Sequence, residues 1–551
     1  MDPSSKSGFK PFAATSASLP WIACILIVGL VAGIRLRLLE IPLERDEGEF
    51  AYMGQLMLQG IPPYLQAYSM KLPGIYAAYA LLMAVFGRTV SGIHLGLLCV
   101  NAGSTVLLFL LTRRLFDPVA AVLAAAVFAV LSLSPSVYGT AGHATQFLVP
   151  FVLGGTLLLL KAVDSGKYGP VAISGLLFGL AFTMKQHAIF FVAFAVVFYA
   201  GSLLRTCPPQ SGKLFYGTGL LLAASGAPFA IACVALYAAG VFPTFWFWTF
   251  TYARQYASQV PLSEALQSLI VLAPMAIHPW GWIWASAGAG LTAVFWNGTA
   301  RSNRFFLAGF ALFSFLTVCP GFIFRNHYFA AMLPAVAMLS GIGTRAGVEF
   351  LSGKTGHGLL RSTPVLLVAA AVIFPTIGLG HFFFRASPLE ACRALYGVNP
   401  FPASAEIGKY IQDHSSEGDT VAVLGSEPQI YFHANRRSAT GFLYVYGLME
   451  PQAFASKMQL DMIREIEAAK PRYAVVVNIH TSWLTRPDSD RTFHRWAQAY
   501  VNRNYRVAGV VEIFPDGRHT AHWDDEARRY QPGSPFVIYV MERPPKAKRP
   551  A

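Results

Sequence analysis

Four acids, Glu44, Asp46, Glu47 and Glu49, fall within six residues of the run ERDEGEFAYMGQLMLQGIPPY, directly after the first long apolar segment. Like-charge repulsion and partial burial raise carboxylate pKa values toward those of a useful general base, so Asp46 and Glu47 are candidates for proton abstraction. A divalent cation, Mg or Mn, is the other way to relieve such crowding, with Asp46 and Glu49 as its ligands. The same spacing also has a plain structural use. Asp46 at a helix N-cap with Glu49 three residues on is a capping box, which satisfies backbone donors and suits the helix dipole. Both uses stand together, because a capping Asp keeps one oxygen free.

Cations and histidines recur near other segment ends. Lys185 closes an apolar run beside Gln186 and His187, where a lysine can snorkel to the interface. Arg254, with Tyr252 and Tyr256, follows the aromatic run FWFWTFTY, which fits either an interface belt or a sugar platform. Arg325, His327 and Tyr328 precede another apolar run, and YGTAGHATQFL carries His143 and Gln146. A loop histidine is commonly just solvated, yet near neutral pH it also exchanges protons.

The elements that position these residues belong to a membrane. The 551-residue chain is 54% hydrophobic and 13% charged, which excludes an ordinary soluble protein. At roughly 20 apolar residues per crossing, about eleven spans are expected, near 20–39, 91–112, 118–138, 147–163, 170–187, 188–204, 214–239, 267–296, 305–322, 328–345 and 364–384. The net charge of +14 gathers in short loops, with Arg113, Arg114, Lys167, Arg205, Lys213, Arg301, Arg304, Arg345, Lys354 and Arg361 on one side. That is the positive-inside pattern rather than a nucleic-acid footprint. Arg35 and Arg37 are exceptions, set against Lys6 and Lys10 before the first span. The first span stays as a helix, because it lacks a small-residue cleavage site. The six cysteines are scattered singly, with no disulfide or zinc pattern.

Residues 47–59 carry Phe50, Met53, Leu56 and Met57 at helical spacing, stopped by Gly60 and followed by a Pro62-Pro63-Tyr64 bend. A second helix is expected over 72–86, with Pro73 in its first turn and Tyr76 and Tyr79 on one face. Both are expected to lie in the membrane interface. Residues 1–385 thus form a polytopic α-helical domain. Residues 386–551 alternate helix and strand signals (404–414 helix, 420–424 strand, 460–469 helix, 473–477 strand, 536–541 strand), which predicts a soluble α/β domain. GSEP at 425–428 is too weak to be a phosphate loop, and the domain shows no catalytic set, so it is expected to cap the outer cavity or to help select the acceptor.

The order RDEGEFAYMGQLMLQGIPPY, then KLPGIYAAYALLMAVFG, resembles the first external loop of GT-C fold membrane glycosyltransferases that use polyprenyl-phosphate sugars. These include the aminoarabinose transferase of lipid A and the bacterial protein O-mannosyltransferase-like family. GLAFTMKQHAIFF and RNHYFAAMLPAVAMLSG extend the likeness through about residue 345. The resemblance implies Asp46 as the catalytic carboxylate and Lys71, opening the second interfacial helix, as a donor-phosphate ligand. It adds Lys185, Arg254 and Arg325 to the phosphate set, and Tyr64, Tyr68, Gln146, His327 and Tyr328 to the substrate set. Relatives commonly carry a second acid where this chain has His143 and Gln146, which leaves metal use open and offers His143 in its place.

The expected function is transfer of a sugar from a polyprenyl-phosphate carrier to a lipid, glycan or protein acceptor, by inverting displacement at the periplasmic face of a bacterial inner membrane. The lipid bilayer is the other partner, and no nucleic acid is expected. The alternatives are a lipid-linked glycan ligase or polymerase, or a polytopic transporter or flippase. The last would need inverted repeats and midplane polar groups, whereas the ionisable residues here gather at one face.

Overall fold

The computed structural model describes residues 18–205, 211–354 and 357–544; Lys6, Lys10 and Cys207 lie outside them. The first helix, α1 (Leu19–Arg37), runs 19 residues, about 28 Å at 1.5 Å per residue, which matches a bilayer's hydrocarbon core. Its two terminal arginines, anomalous as topology signals, are structural ties. Arg35 donates to the carbonyls of Ser132 (2.8 Å) and Gly139 (3.0 Å). Arg37 donates to those of Phe382 (2.7 Å), Phe383 (3.0 Å) and Ala386 at the far end of the helical region.

Two helices follow before the next crossing, α2 (Arg45–Leu58) and α3 (Pro73–Phe86). The crossing itself is α4 (Val90–Leu115), followed by α5 (Pro118–Leu131), α6 (Ala144–Ser165), α7 (Tyr168–Met184), α8 (Ile189–Leu204) and α9 (Ser211–Ala238). Gly175 and Gly179 let α7 approach α9 closely. A Cβ at Gly175 would lie 2.7 Å from the Leu221 carbonyl oxygen, so a larger residue would force the helices apart.

Among the described residues, six helices can cross a membrane by length and composition, or seven if Phe242–Ala257 and Leu262–Ile277, bent by 57°, count as one span. Among the expected eleven spans, those at 118–138, 170–187 and 305–322 are shorter apolar helices, Pro118–Leu131, Tyr168–Met184 and Arg304–Leu316. The single span expected over 267–296 is two helices, Ala265–Ile277 and Gly281–Trp296.

Beyond the helices lies one mixed six-stranded sheet, in order β2-β1-β3-β6-β4-β5. Its strands are β1 (Thr420–Leu424), β2 (Arg437–Ser438), β3 (Tyr473–Asn478), β4 (Arg506–Ile513), β5 (His519–Trp523) and β6 (Phe536–Glu542). β1 pairs in parallel with β2 and β3, and the other pairings are antiparallel. Helices Phe401–Asp413 and Ala455–Ala469 stand where helix signals were read.

The sheet domain is seated on α2, so the helix expected at the membrane interface is enclosed by protein. Every residue of α2 from Glu47 to Leu56 is buried. Arg45 pairs with the buried Glu427 at 2.5 Å and donates to the Ser426 carbonyl at 2.7 Å, so GSEP serves as a brace. Gly48 faces Gln429 so closely that a Cβ would sit 2.6 Å from its backbone nitrogen. Part of the aromatic run over 245–252 is a docking surface, while Trp246 stays exposed. Trp248 stacks on Tyr68 and meets Phe442 edge-on, while Phe247 meets Phe454.

Candidate active site

The first turn of α2 begins two residues earlier than the sequence suggests. Glu44, not Asp46, is the N-cap, and it forms the capping box with Glu47: its carboxylate accepts the Glu47 N–H at 2.9 Å. Because Glu44 takes the cap, Asp46 is left to face outward from the turn. Glu47 is fully buried, accepting from the Gly142 N–H at 2.5 Å and meeting His94 Nε2 at 3.1 Å. Both contacts fall on Oε1, while Oε2 accepts the Glu44 N–H at 3.5 Å, so this group, expected as a catalytic carboxylate, ties the start of α2 to the 132–143 loop and to α4. Arg35 and Tyr79, whose hydroxyl donates to the Gly142 carbonyl at 2.8 Å, hold the same loop and so place His143.

Lys71 lies between two carboxylates, 2.7 Å from Asp46 Oδ1 and 2.6 Å from Glu49 Oε2. Glu49 is fully buried and accepts from Ser69 (2.5 Å), Tyr76 (2.7 Å), Lys71 and Tyr444 (2.6 Å). Four donors occupy the carboxylate that was expected to pair with Asp46 around a metal ion. Tyr444 comes from the sheet domain; its hydroxyl also lies 3.5 Å from Asp46 Oδ1, and its ring lies under Lys71 Nζ. A domain expected to lack site residues therefore supplies one.

On the other side of Asp46, His143 Nδ1 lies 3.6 Å from Oδ2 and 3.8 Å from Glu44 Oε1. The His143 ring stacks on His327 with centroids 4.2 Å apart, and both its nitrogens are buried without a hydrogen-bond partner. Thr145 donates to the His327 carbonyl at 2.7 Å and fixes that residue. Ligand atoms of Asp46, His143 and His327 all lie within 4.8 Å of one another, a set that could hold a metal ion. Two imidazoles and one carboxylate suit a borderline cation such as Zn better than Mg or Mn, which prefer oxygen.

Next to His327, Tyr328 presents its ring to Lys185, whose Nζ stands 3.9 Å from the centroid. Arg325 extends this row and shares the Tyr256 hydroxyl at 3.2 Å. Asp46, Lys71, His143, Lys185, Arg325, His327 and Tyr328 are thus gathered at one end of the helical region. The other candidates are placed differently. Arg254 is exposed on the short helix Ala253–Ala257 that follows the Phe247–Tyr252 π-helical turn. Tyr64 is buried and donates to the Lys71 carbonyl at 2.7 Å, shaping the loop rather than meeting substrate. Tyr68 bonds Glu465 of the sheet domain at 3.1 Å. Gln146 is buried, bonded to Asn101 and to the Gly139 and Ala141 carbonyls.

Charge is strongly redistributed across this cluster. Burial pushes the Glu44 carboxyl up to about 7, and neighbouring Asp46 adds to the rise. Burial acts in the same direction on Asp46, but Lys71 and then His143 outweigh it and hold the carboxyl well below its usual range. Lys71 is the mirror case, where burial is overcome by Asp46 and Glu49 and the ammonium is held above its usual range. Lys185 has no such partner close by. Burial, with Lys71 and Arg325 adding to it against the pull of Asp46, lowers it to about 7.

The model of the dolichyl-phosphate-mannose-protein mannosyltransferase family matches residues 71–231, a stretch that opens on Lys71 and includes His143 and Lys185. ArnT from Cupriavidus metallidurans, solved with undecaprenyl phosphate, is similar over 95% of this chain and 98% of its own, at TM-score 0.55 and 14% identity. The Archaeoglobus fulgidus oligosaccharyltransferase in its apo form covers 93% of this chain and 75% of its own, at TM-score 0.53 and 14% identity. This chain has the GT-C fold. The A. fulgidus AglB complex with an inhibitory peptide and a dolichol-phosphate agrees, at TM-score 0.51, 13% identity and coverage of 92% and 74%. No curated protein sequence matches the chain significantly. The GT-C architecture extends over both the helical region and the sheet domain, as the coverage of ArnT requires.

Proposed function

We propose that this protein is a multi-pass membrane glycosyltransferase that moves a sugar from a polyprenyl-phosphate carrier to an acceptor hydroxyl or amide, with Asp46 as the base. The carrying observation is the contact of Asp46 with Lys71 at the opening of α2, facing Lys185 and Arg325 across His143, His327 and Tyr328. The mannosyltransferase family match and the lipid phosphates named for ArnT and AglB support the donor class.

In the reaction the acceptor oxygen or nitrogen attacks the anomeric carbon while the bond from that carbon to the phosphate oxygen breaks. The configuration inverts, and polyprenyl phosphate departs with the bonding electrons. A phosphate monoester leaves as a stabilised anion, so it needs cations more than a proton donor. Lys185, Arg325 and Lys71 supply them. Asp46 receives the acceptor's proton, and donor phosphate drawing Lys71 aside would raise its basicity at the moment of use. His143 and His327 border the same oxygen, and with Asp46 they fit a divalent cation. When bound, such a cation would add positive charge beside the reacting groups.

The acceptor, whether lipid, glycan or protein, would meet the site at the periplasmic face of a bacterial inner membrane, with the sheet domain outside. A ligase or polymerase using diphosphate-linked chains would call on the same cations. The test is reconstitution of the purified protein with a panel of polyprenyl-phosphate and polyprenyl-diphosphate sugars, following donor consumption. Consumption of a monophosphate donor that Asp46→Asn abolishes bears the proposal out, and full activity in that variant overturns it. Cleavage of the sheet domain by protease only from the cytoplasmic side would reverse the topology.

A further inference from the structure

A second polar cleft lies away from the site just described. It has a volume of about 300 Å³ and opens between the C-terminal half of α2 and the sheet domain. Tyr52, Gln55 and Leu56 of α2, with Gln59 at its C-cap, form one wall at the spacing of a single helix face, and Arg88, Asn435, Arg436 and Arg437 face them. Gln55 is nine residues along α2 from Asp46, about 14 Å at 1.5 Å per residue, so the cleft stands apart from the reacting groups.

We propose that this cleft binds the phosphate-bearing headgroup of a membrane lipid that also carries hydroxyl donors. The charge balance is the first reason. Three arginines meet one acid, Glu417, and among the described residues none of the three has a carboxylate within ion-pair distance. Arg436 is buried, with its N–H groups spent on Ser415 and on the carbonyls of Gln412, Ala434, Asn435 and Ser415. Its charge is therefore fixed in place and uncompensated. Arg88 and Arg437 are exposed and keep N–H groups for a ligand. Guanidinium forks suit phosphate oxygens.

The second reason is an orphaned acceptor. Asn435 Oδ1 takes hydrogen bonds from Arg88 (2.7 Å) and from Gln55 Nε2 (2.8 Å), which leaves Gln55 Oε1 buried with no partner. Gln55 is 2% exposed, and a buried amide oxygen without a donor is costly. A small turn of the Gln55 amide would bring this oxygen to a headgroup hydroxyl, whereas a trimethylammonium headgroup has no donor to give. The third reason is position. Arg88 sits two residues before α4 begins to cross, and Leu81 and Val85 on the preceding turns of α3 are each 63% exposed, so the mouth borders lipid-facing surface. A cleft of this size admits a phosphoglycerol group.

The test uses the full-length protein in detergent, loaded with phosphatidylglycerol or phosphatidylcholine and analysed by native mass spectrometry. Phosphatidylglycerol should be retained at least about tenfold better than phosphatidylcholine, and Arg88→Gln with Arg437→Gln should lower that retention by at least about tenfold, as loss of charge-assisted bonds implies. Gln59→Glu, which adds a negative charge at an exposed position of the wall, should do the same. Unchanged thermal unfolding of these variants would show that their fold is intact. Equal retention of the two lipids, or equal retention by wild type and both variants, overturns the proposal. Glycerol 3-phosphate displacing the lipid at equal concentration would overturn the lipid as source and leave a soluble phosphate in its place.

Discussion

Tyr444 of the sheet domain donates its hydroxyl to Glu49 Oε2 at 2.6 Å, in the first turns of the helix that carries Asp46. Through Glu49 it touches Lys71, and through Lys71 the state of Asp46. Replacing Tyr444 by Phe removes one of four donors from a buried carboxylate. The expected cost is about 1–3 kcal/mol of stability, read as a lower unfolding temperature in detergent. Donor turnover should fall as Lys71 is drawn closer to Glu49.

Asp46→Asn keeps the side chain's size and removes its proton affinity. Turnover should drop by about 10²–10⁴-fold, the range for loss of a general base, with donor binding nearly unchanged. Lys71 still has Glu49 as a partner, so the unfolding temperature should move little. A loss of donor binding equal to the loss of turnover would make Asp46 a positioning group.

Lys185 gives a pH dependence of known sign. Its pKa in the folded protein is lowered to about 7, so its ammonium is lost as pH rises through 7 and donor affinity should weaken between pH 6 and 8.5. Stability runs the other way. Above pH 7 the unfolded chain holds the proton that the folded chain has released, so this group makes folding more favourable as pH rises toward the ordinary lysine range. Binding isotherms and unfolding curves at the two pH values measure both trends, and Lys185→Arg should flatten both.

If Asp46, His143 and His327 hold a cation, purified protein should carry about one equivalent of metal by elemental analysis. His327→Ala should lose it. Chelation should lower turnover, with Zn restoring more of it than Mg. Metal content unaffected by His327→Ala would remove His327 from the ligand set.

The helical region was legible because hydrocarbon thickness imposes long apolar runs, and the sheet domain because its strand and helix signals alternate cleanly. That Asp46 and Lys71 lie together was anticipated only through the family resemblance, which put both in one expected site. The capping frame was misjudged because Glu44 and Glu47 repeat, two residues earlier, the spacing of Asp46 and Glu49. The burial of α2 was hidden for a different reason. Glu47 and Glu49 give it the look of a water-facing helix, yet both satisfy their oxygens inside, on Gly142, His94, Ser69, Tyr76 and Tyr444. Gln146 and Tyr64 misled in the same way, as polar groups that serve loop carbonyls. Tyr444 carries no local motif. Its only cue is the density of aromatics in GFLYVYGLME, unusual for a segment facing water.

Arg45, Gly48 and Tyr52 all lie on α2, and each meets the sheet domain: a salt bridge to Glu427, a van der Waals fit to Gln429, and a hydrogen bond from the Ser438 N–H. The two halves consequently share one interior at the very turn where sugar would be transferred. Grafting the tail of another GT-C protein onto this helical half would unseat that turn unless Glu427, Gln429 and Ser438 travelled with it. Exchange of tails between such proteins is constrained less by the linker than by three residues of a single helix.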